Sequence, residues 1–349
     1  MGVLIRPELR IDEARFRANI DAVRSRVAPS SLMLVVKDDA YGHGVRWAAE
    51  TATGSGVEWI GAYDVPTALT LRETVPPETR LFAWVTSADD EIAGAVLAGV
   101  DLGVGSPDYL RRVIAQTERL GARSRIHLKI DTGLHRNGFS REEWTDGVET
   151  ALRAQQAGTV DLVGVWSHLA EASDAEDDEA NARFLSAVSV ARGLGAGSLR
   201  THLTASAASW SRSELRGDLV RIGAFCYGIR SADGPDFPGV APIASLVASV
   251  VRLEEAEAVV AIGALDGLPS TLSGRVVVGT PGGVRLLRTV GLDHVRVEAW
   301  PDARIGDEVV LFGPGARGEV SATTLAEAVD TVGEEILTRL GPRVRRRHV

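Results

Sequence analysis

Apolar residues come along this chain in short β-rich runs, and the stretches between the runs carry them at helical spacing. Candidate strands fall at 32–36 (LMLVV), 57–61 (VEWIG), 81–86 (LFAWVT), 100–104 (VDLGV), 125–130 (RIHLKI), 162–167 (LVGVWS), 199–204 (LRTHLT) and 219–225 (LVRIGAF). Helical patterns cover 11–27, 45–53, 64–73, 107–120, 141–157 and 176–194. The last of these is led in by the acidic loop EASDAEDDEAN, which puts acids in the first helical turn. Strand and helix in alternation predict parallel strands joined by crossovers. Eight such units predict an α/β fold, an N-terminal (β/α)8 TIM-like barrel of about 250 residues.

The texture changes after about residue 235. DGPDFPGVAP is rich in Pro and Gly, and short apolar runs follow at 244–253, 257–262, 275–279, 284–288, 294–299 and 307–312 without long helices between them. That pattern predicts a C-terminal all-β domain, with a final helix over 324–339. The expected domains are 1–235 and 236–349.

Net charge is −9, which leaves no basic face for nucleic acid or an anionic membrane. The one basic cluster, PRVRRRHV at the end of the chain, reads as a solvated tail. No apolar stretch is long enough to span a bilayer, and a cytoplasmic location is expected. A lone cysteine, Cys226, excludes an internal disulfide and a cysteine-cluster metal site, and no metal is expected. Of 38 Lys plus Arg, only Lys37 and Lys129 are lysine. Arginine cannot act as an amine nucleophile because its guanidinium stays protonated, whereas lysine can.

Both lysines lie at predicted strand ends. In a barrel of this kind the active site lies at the C-terminal ends of the strands. Strand one ends at Lys37, with Tyr41 after it. The fifth carries Lys129 and leads to Arg136. The sixth runs to His168, the seventh to Ser206, and the eighth to Arg221, Gly223 and Ala224. The loops after the seventh and eighth strands are the usual phosphate site of such barrels, and small residues there let backbone N–H groups approach phosphate oxygens. A reactive lysine facing a phosphate cradle suggests pyridoxal 5'-phosphate.

Taken in order, VVKDDAYGHG, LKIDTGLHRNGF, WSHLAEAS, HLTASAAS, VRIGAFCYGI and GDEVVLFG resemble the alanine racemase family over essentially the whole chain. The resemblance implies a cofactor role for each matching residue. Lys37 forms the covalent imine and acts as base on one face of the substrate Cα. Tyr41, Ser206, Gly223 and Ala224 hold the phosphate, and His168 lies against the pyridine ring. Arg221 faces the ring nitrogen and Arg136 the phenolic oxygen. Lys129 matches a lysine that is carbamylated in family members. A guanidinium beside the ring nitrogen disfavours protonating it, which favours a racemase over the related decarboxylases with an acid there. The resemblance further implies a small amino-acid substrate and a head-to-tail homodimer, with Leu292 and Asp293 facing the partner subunit's substrate.

One position breaks the pattern. Family members take their second base from a tyrosine of the partner's β domain, in a GYADG-like motif; here the stretch is AIGALDG, with Ala264 at the tyrosine position. The four tyrosines, Tyr41, Tyr63, Tyr109 and Tyr227, all precede the β domain. Smaller departures are Gly291 and Leu292 in RTVGLD, Ala205 in place of the usual asparagine, and Asp38 beside the lysine. Four outcomes stay open: another second base, with His294 the best candidate by chemistry; one-base chemistry at Lys37 of the aldolase, transferase or lyase kind; slow racemisation; and cofactor binding without catalysis.

Overall fold

The structure is a computed structural model, which describes residues 6–232, 234 and 236–349. Position 235, the expected domain boundary, lies outside the described residues. The chain forms two compact units, each built from separated segments. One consists of 23–37 and 48–223, the other of the described residues up to Ala22, 38–47 and 224–349.

The first strand, β1 (Glu8–Ile11), belongs to the second of these units. The next eight form one parallel sheet in the first unit: β2 (Ser31–Val35), β3 (Trp59–Tyr63), β4 (Arg80–Ala83), β5 (Asp101–Val104), β6 (Ser124–Lys129), β7 (Val160–Trp166), β8 (Arg200–His202) and β9 (Leu219–Ile222). The pairing runs β8-β7-β6-β5-β4-β3-β2-β9. β2 aligns Met33 with Trp59 on one side and with Arg221 on the other. The eight strands match the predicted ones within a few residues, and the expected barrel is present.

The seam between β8 and β9 closes without a regular ladder. Asp218 Oδ2 accepts from Thr201 N at 2.8 Å and from Thr201 Oγ1 at 2.7 Å, and Arg221 N donates to Thr204 O at 3.3 Å. A Cβ at Gly217 would overlap Thr201, so glycine lets the strands approach there. The barrel is filled by Met33, Trp59, Phe82, Trp166 and Leu219, with Trp84 against them. Phe82 and Trp166 meet edge to face at 5.5 Å, an arrangement favoured by the ring quadrupoles. Serine or aspartate starts many of the crossover helices. Asp64 accepts from Thr67 N, Ser106 from Tyr109 N and Ser173 from Glu176 N, while Ser140 and Glu143 form a capping box; each satisfies an orphan helix donor.

In the other unit, β10 (Ala244–Leu253), β11 (Glu257–Val260), β12 (Val277–Thr280), β13 (Gly283–Val290), β14 (Val295–Glu298) and β15 (Glu308–Phe312) form the expected antiparallel β domain. β10 pairs with both β11 and β15, so the set closes on itself. Two expectations need correction. The helix over 324–339 is two short helices, Ala322–Glu327 and Gly333–Thr338. Between them Asp330 has φ +56°, a left-handed conformation that ends a helix. The basic tail stays largely exposed but is an ordered strand rather than a free end. Its residues Arg345–His348 form β16, parallel to β1 with Leu9 opposite Arg346. Arg346 Nε donates to Gly42 O at 3.2 Å, and His348 stacks on Trp47 at 4.3 Å.

No helix among the described residues is long and apolar enough to cross a membrane.

Gly103 marks how tightly the barrel is filled. A Cβ there would lie 2.8 Å from Trp84 and 2.9 Å from Phe82. Overpacking of this kind typically costs about 1–3 kcal/mol. Gly103→Ala is therefore expected to lower the urea midpoint with the m-value unchanged; an unshifted midpoint would show that the barrel interior can yield.

Candidate active site

Because the barrel strands are parallel, their C-terminal ends gather on one rim. Lys37 follows β2, Lys129 ends β6, His168 follows β7, and Ser206 begins the short helix Ser206–Ser211 after β8. Arg221 lies in β9, with Gly223 just beyond it. Of the set read from the sequence, Lys37, Lys129, His168, Ser206, Arg221 and Gly223 therefore lie at this rim in the first unit, with Arg136 on a loop beside it.

Arg221 is the centre of this rim. It is buried, only 4% exposed. Its guanidinium donates to His202 O at 3.0 Å, Ser167 O at 2.7 Å and Leu203 O at 3.1 Å. It also donates to two imidazoles, His202 Nδ1 at 3.0 Å and His168 Nδ1 at 3.2 Å. None of these acceptors is a carboxylate. Burial pulls the guanidinium down to about 9, against the opposing charge of Glu171 and helped by that of Arg136.

The same cations act on their neighbours. Burial, then Arg221, Arg136, Lys129 and Lys37, push His168 down to about 3. His168 is therefore neutral near pH 7, and since its Nδ1 accepts from Arg221 its proton sits on Nε2. Lys129, 4% exposed, has its Nζ 4.8 Å over the Trp166 ring. Burial, Arg136 and Arg221 bring its amine down to about 8. Arg136 is exposed on the loop between Lys129 and Phe139. The neck of that loop is closed by Phe139 N donating to Lys129 O at 2.8 Å, and Asp131 Oδ1 accepts from Gly133 N and His135 N.

Glu171 was not read from the sequence. Its backbone is left-handed at φ +54°, and its Oε1 accepts from Ala208 N at 3.0 Å. Burial holds its carboxyl up, and its charge is felt at Arg221. The available signal was an acid three residues after the strand-end histidine, in SHLAEAS. Among the described residues no group of three or more His, Cys, Asp or Glu could hold a metal ion.

Tyr41 and Ala224 belong to the second unit. Immediately after Lys37 the backbone turns left-handed for four residues, Asp38 to Tyr41, with φ 54–55° and ψ 37–50°. This conformation costs L-residues about 1–2 kcal/mol each, so packing must hold it. Asp39 Oδ1 accepts from Val45 N at 2.8 Å, and His43 Nδ1 donates to Ala40 O at 2.7 Å. Tyr41 is buried and its ring lies 5.1 Å from that of Tyr227; burial, then Glu334 and Asp38, hold its phenol protonated. Ala224 opens the turn Ala224–Tyr227.

In the same unit Ala264 starts the turn Ala264–Asp266. Ala264 N donates to Gly291 O at 2.9 Å and Leu265 N to Leu292 O at 2.8 Å. A Cβ at Gly263 would press on Leu292 O and Asp293 N, so glycine permits this close approach. Leu265 and Leu292 are 57% and 70% exposed. Beside them Asp293 Oδ1 and His294 Nδ1 are 2.7 Å apart.

Residues 11–231 match the family described as alanine racemase, N-terminal domain, and residues 248–348 the alanine racemase C-terminal domain. The chain is 36% identical to an alanine racemase of Beutenbergia cavernae over 97% of each chain. It superposes on an alanine racemase from Streptomyces coelicolor A3(2) with a TM-score of 0.94 at 31% identity, covering 99% of this chain and 98% of that one. It also shares the fold of a Bartonella henselae alanine racemase solved with covalently bound pyridoxal phosphate, at 22% identity and a TM-score of 0.87 over 100% of each chain.

The depressed His168 has a signature in stability. Folded His168 takes up its proton near pH 3, the unfolded residue near 6.5. In that window the unfolded chain binds more protons, so stability is fully present above pH 6.5 and is lost as pH falls toward 3. His168→Gln is expected to flatten the pH dependence of the unfolding free energy between those limits. An identical slope in the variant would mean that His168 is not held neutral by the fold.

Proposed function

The chain belongs to the alanine racemase family of pyridoxal-phosphate-dependent isomerases, and from that premise we propose that it racemises a small amino acid of the alanine type. The main support is the convergence of Lys37, Lys129, His168 and Arg221 on one barrel rim. The donor set suits the cofactor. Lys37 offers an amine for an aldehyde. Ser206 and the Gly223 backbone offer uncharged donors for a phosphate. Arg221, with no hydrogen-bonded carboxylate, suits a ring nitrogen that stays unprotonated.

When bound, the cofactor withdraws electrons from an amino acid joined to it and makes the Cα proton labile. Lys37 takes or returns that proton on one face. Arg221 holds its donors toward neutral acceptors, and neutral His168 presents an uncharged ring face. Racemisation needs a second proton on the opposite face, which Ala264 cannot carry. The pair Asp293–His294 can: the carboxylate holds Nδ1–H, leaving Nε2 to accept or give a proton. In the homodimer that family membership suggests, this pair belongs to the partner subunit's site. Ala264 also supports a second reading, in which Lys37 works alone on a larger substrate that fills the space a tyrosine would occupy.

Lys129 is proposed to be carbamylated. Its lowered amine is partly uncharged near neutral pH, so it can attack carbon dioxide, forming an N–C bond and releasing one proton. The resulting negative charge answers the two arginines that now oppose its positive one.

Three experiments test these assignments. In deuterated water, L-alanine should exchange its Cα hydrogen with inversion. His294→Ala should keep exchange but lose inversion by about 10²–10⁴-fold, the usual worth of one acid–base group. Exchange with retention in the native protein would instead favour Lys37 acting alone, and undiminished inversion in His294→Ala would remove that residue from the mechanism. Lys37→Ala should yield no borohydride-fixed cofactor adduct by mass spectrometry; an adduct elsewhere would refute the lysine assignment. Protein equilibrated with ¹³C-bicarbonate should give a carbamate carbonyl signal that Lys129→Arg abolishes, and its absence from the native protein would count against the modification.

A further inference from the structure

A continuous line of hydrogen bonds crosses the barrel beneath the rim. Asp101 begins β5, at the mouth opposite the candidate site. His127 Nε2 lies 3.2 Å from Asp101 Oδ2, His127 Nδ1 is 2.9 Å from His202 Nε2, and His202 Nδ1 is 3.0 Å from an Arg221 nitrogen. Asp101, His127 and His202 are fully buried, and Arg221 nearly so. Asp101 is anchored outside the line by ion pairs to Arg80 and to Arg125, the latter at 2.6 Å.

The protons on this line can be ordered in one way. Arginine only donates, so His202 Nδ1 must accept. Burial keeps both histidines neutral, lowering each from its ordinary value. Neutral His202 therefore carries its proton on Nε2 and donates to His127 Nδ1. His127 then carries its proton on Nε2 and donates to Asp101. Burial raises the Asp101 carboxyl, but His127 and the two arginines outweigh it and hold it ionised. Every donor points from the rim toward Asp101. The room for this line is made by a glycine: a Cβ at Gly164 would overlap His127 Nδ1.

We propose that Asp101 is a positioning residue for Arg221. Acting through His127 and His202, it sets both tautomers and so holds the guanidinium in the one orientation that also serves Ser167, Leu203 and His168. The consequence for turnover rests on the function proposed above; the order of protons does not.

Asp101→Asn tests it. Arg125 bonds Oδ1, whereas Arg80 shares Oδ2 with His127. In the variant the amide oxygen stays on Arg125, the part-exposed Arg80 swings toward solvent, and the amide NH₂ takes the place of Oδ2 and donates to His127 Nε2. The line reverses, and His202 then turns an N–H toward the donors of Arg221. In the full-length protein labelled with ¹⁵N-histidine, seven histidines give a resolvable set. In the native protein at neutral pH, His127 and His202 should both be Nε2–H tautomers, and in Asp101→Asn both should become Nδ1–H. In the cofactor-loaded variant kcat should fall about tenfold to a hundredfold, as when an outer partner that orients a functional side chain is lost, with KM changed much less.

A native His202 that is Nδ1–H or doubly protonated overturns the proposal whether or not any variant folds. So does a His202 tautomer unmoved by Asp101→Asn, the result expected if Asp101 only anchors two arginines. Reversed tautomers with unchanged kcat overturn the positioning role. Isotope exchange by the native protein, which tests the proposed reaction, is independent of all three results.

Discussion

A guanidinium buried in a barrel must be satisfied by something, and here no carboxylate is hydrogen-bonded to it. Arg221 is held by three strand-end carbonyls and two imidazoles. Much follows from that choice. A buried charge left without partners would cost several kcal/mol, so the ends of β7 and β8 must turn their carbonyls inward. The two histidines must stay neutral to accept. Lys129 feels the arginine's field and gives up its proton more readily. A carboxylate in bonding contact would have satisfied the charge more simply, but it would have neutralised the positive charge of the rim.

In the second unit the longest run of left-handed backbone lies just after Lys37. Four successive residues after Lys37 are left-handed, and only aspartate among their types tolerates that conformation with any ease. The unexpected Asp38 thus has a local reason. At about 1–2 kcal/mol per residue, the segment would relax if it stood alone. It is held by the Asp39 bond to Val45 N, by His43 and by the burial of Tyr41. Strain kept by surrounding structure is common where a side chain must be aimed, and here it borders the lysine.

Most of the architecture could be read from the chain because its strands are apolar and regularly spaced. β10 was delimited at 244–253 as observed, and Lys37 was marked by its rarity and by the apolar run it ends. What escaped reading had no periodic signal. β1 and β16, ELRI and RRRH, carry charges at most positions and become strands only by pairing with each other and with β10. The split of the final helix coincides with the left-handed Asp330, a conformation that periodicity does not report. His127 and His202 stood in plain view inside apolar strands, but a histidine in a strand acquires meaning only when its partner is known. The nearness of Asp293–His294 to Ala264 likewise depends on a contact between two loops that no spacing rule reports.

The C-terminal strand has a consequence in time. Arg346 bonds Gly42 O, and His348 both bonds His43 O and stacks on Trp47. A chain leaves the ribosome N-terminus first, so the segment after Lys37 is made some three hundred residues before the residues that clasp it. Synthesis of the parallel barrel strands is complete while the left-handed turn still lacks its cover. Arg346 and His348 therefore act as a latch on a loop made some three hundred residues before them.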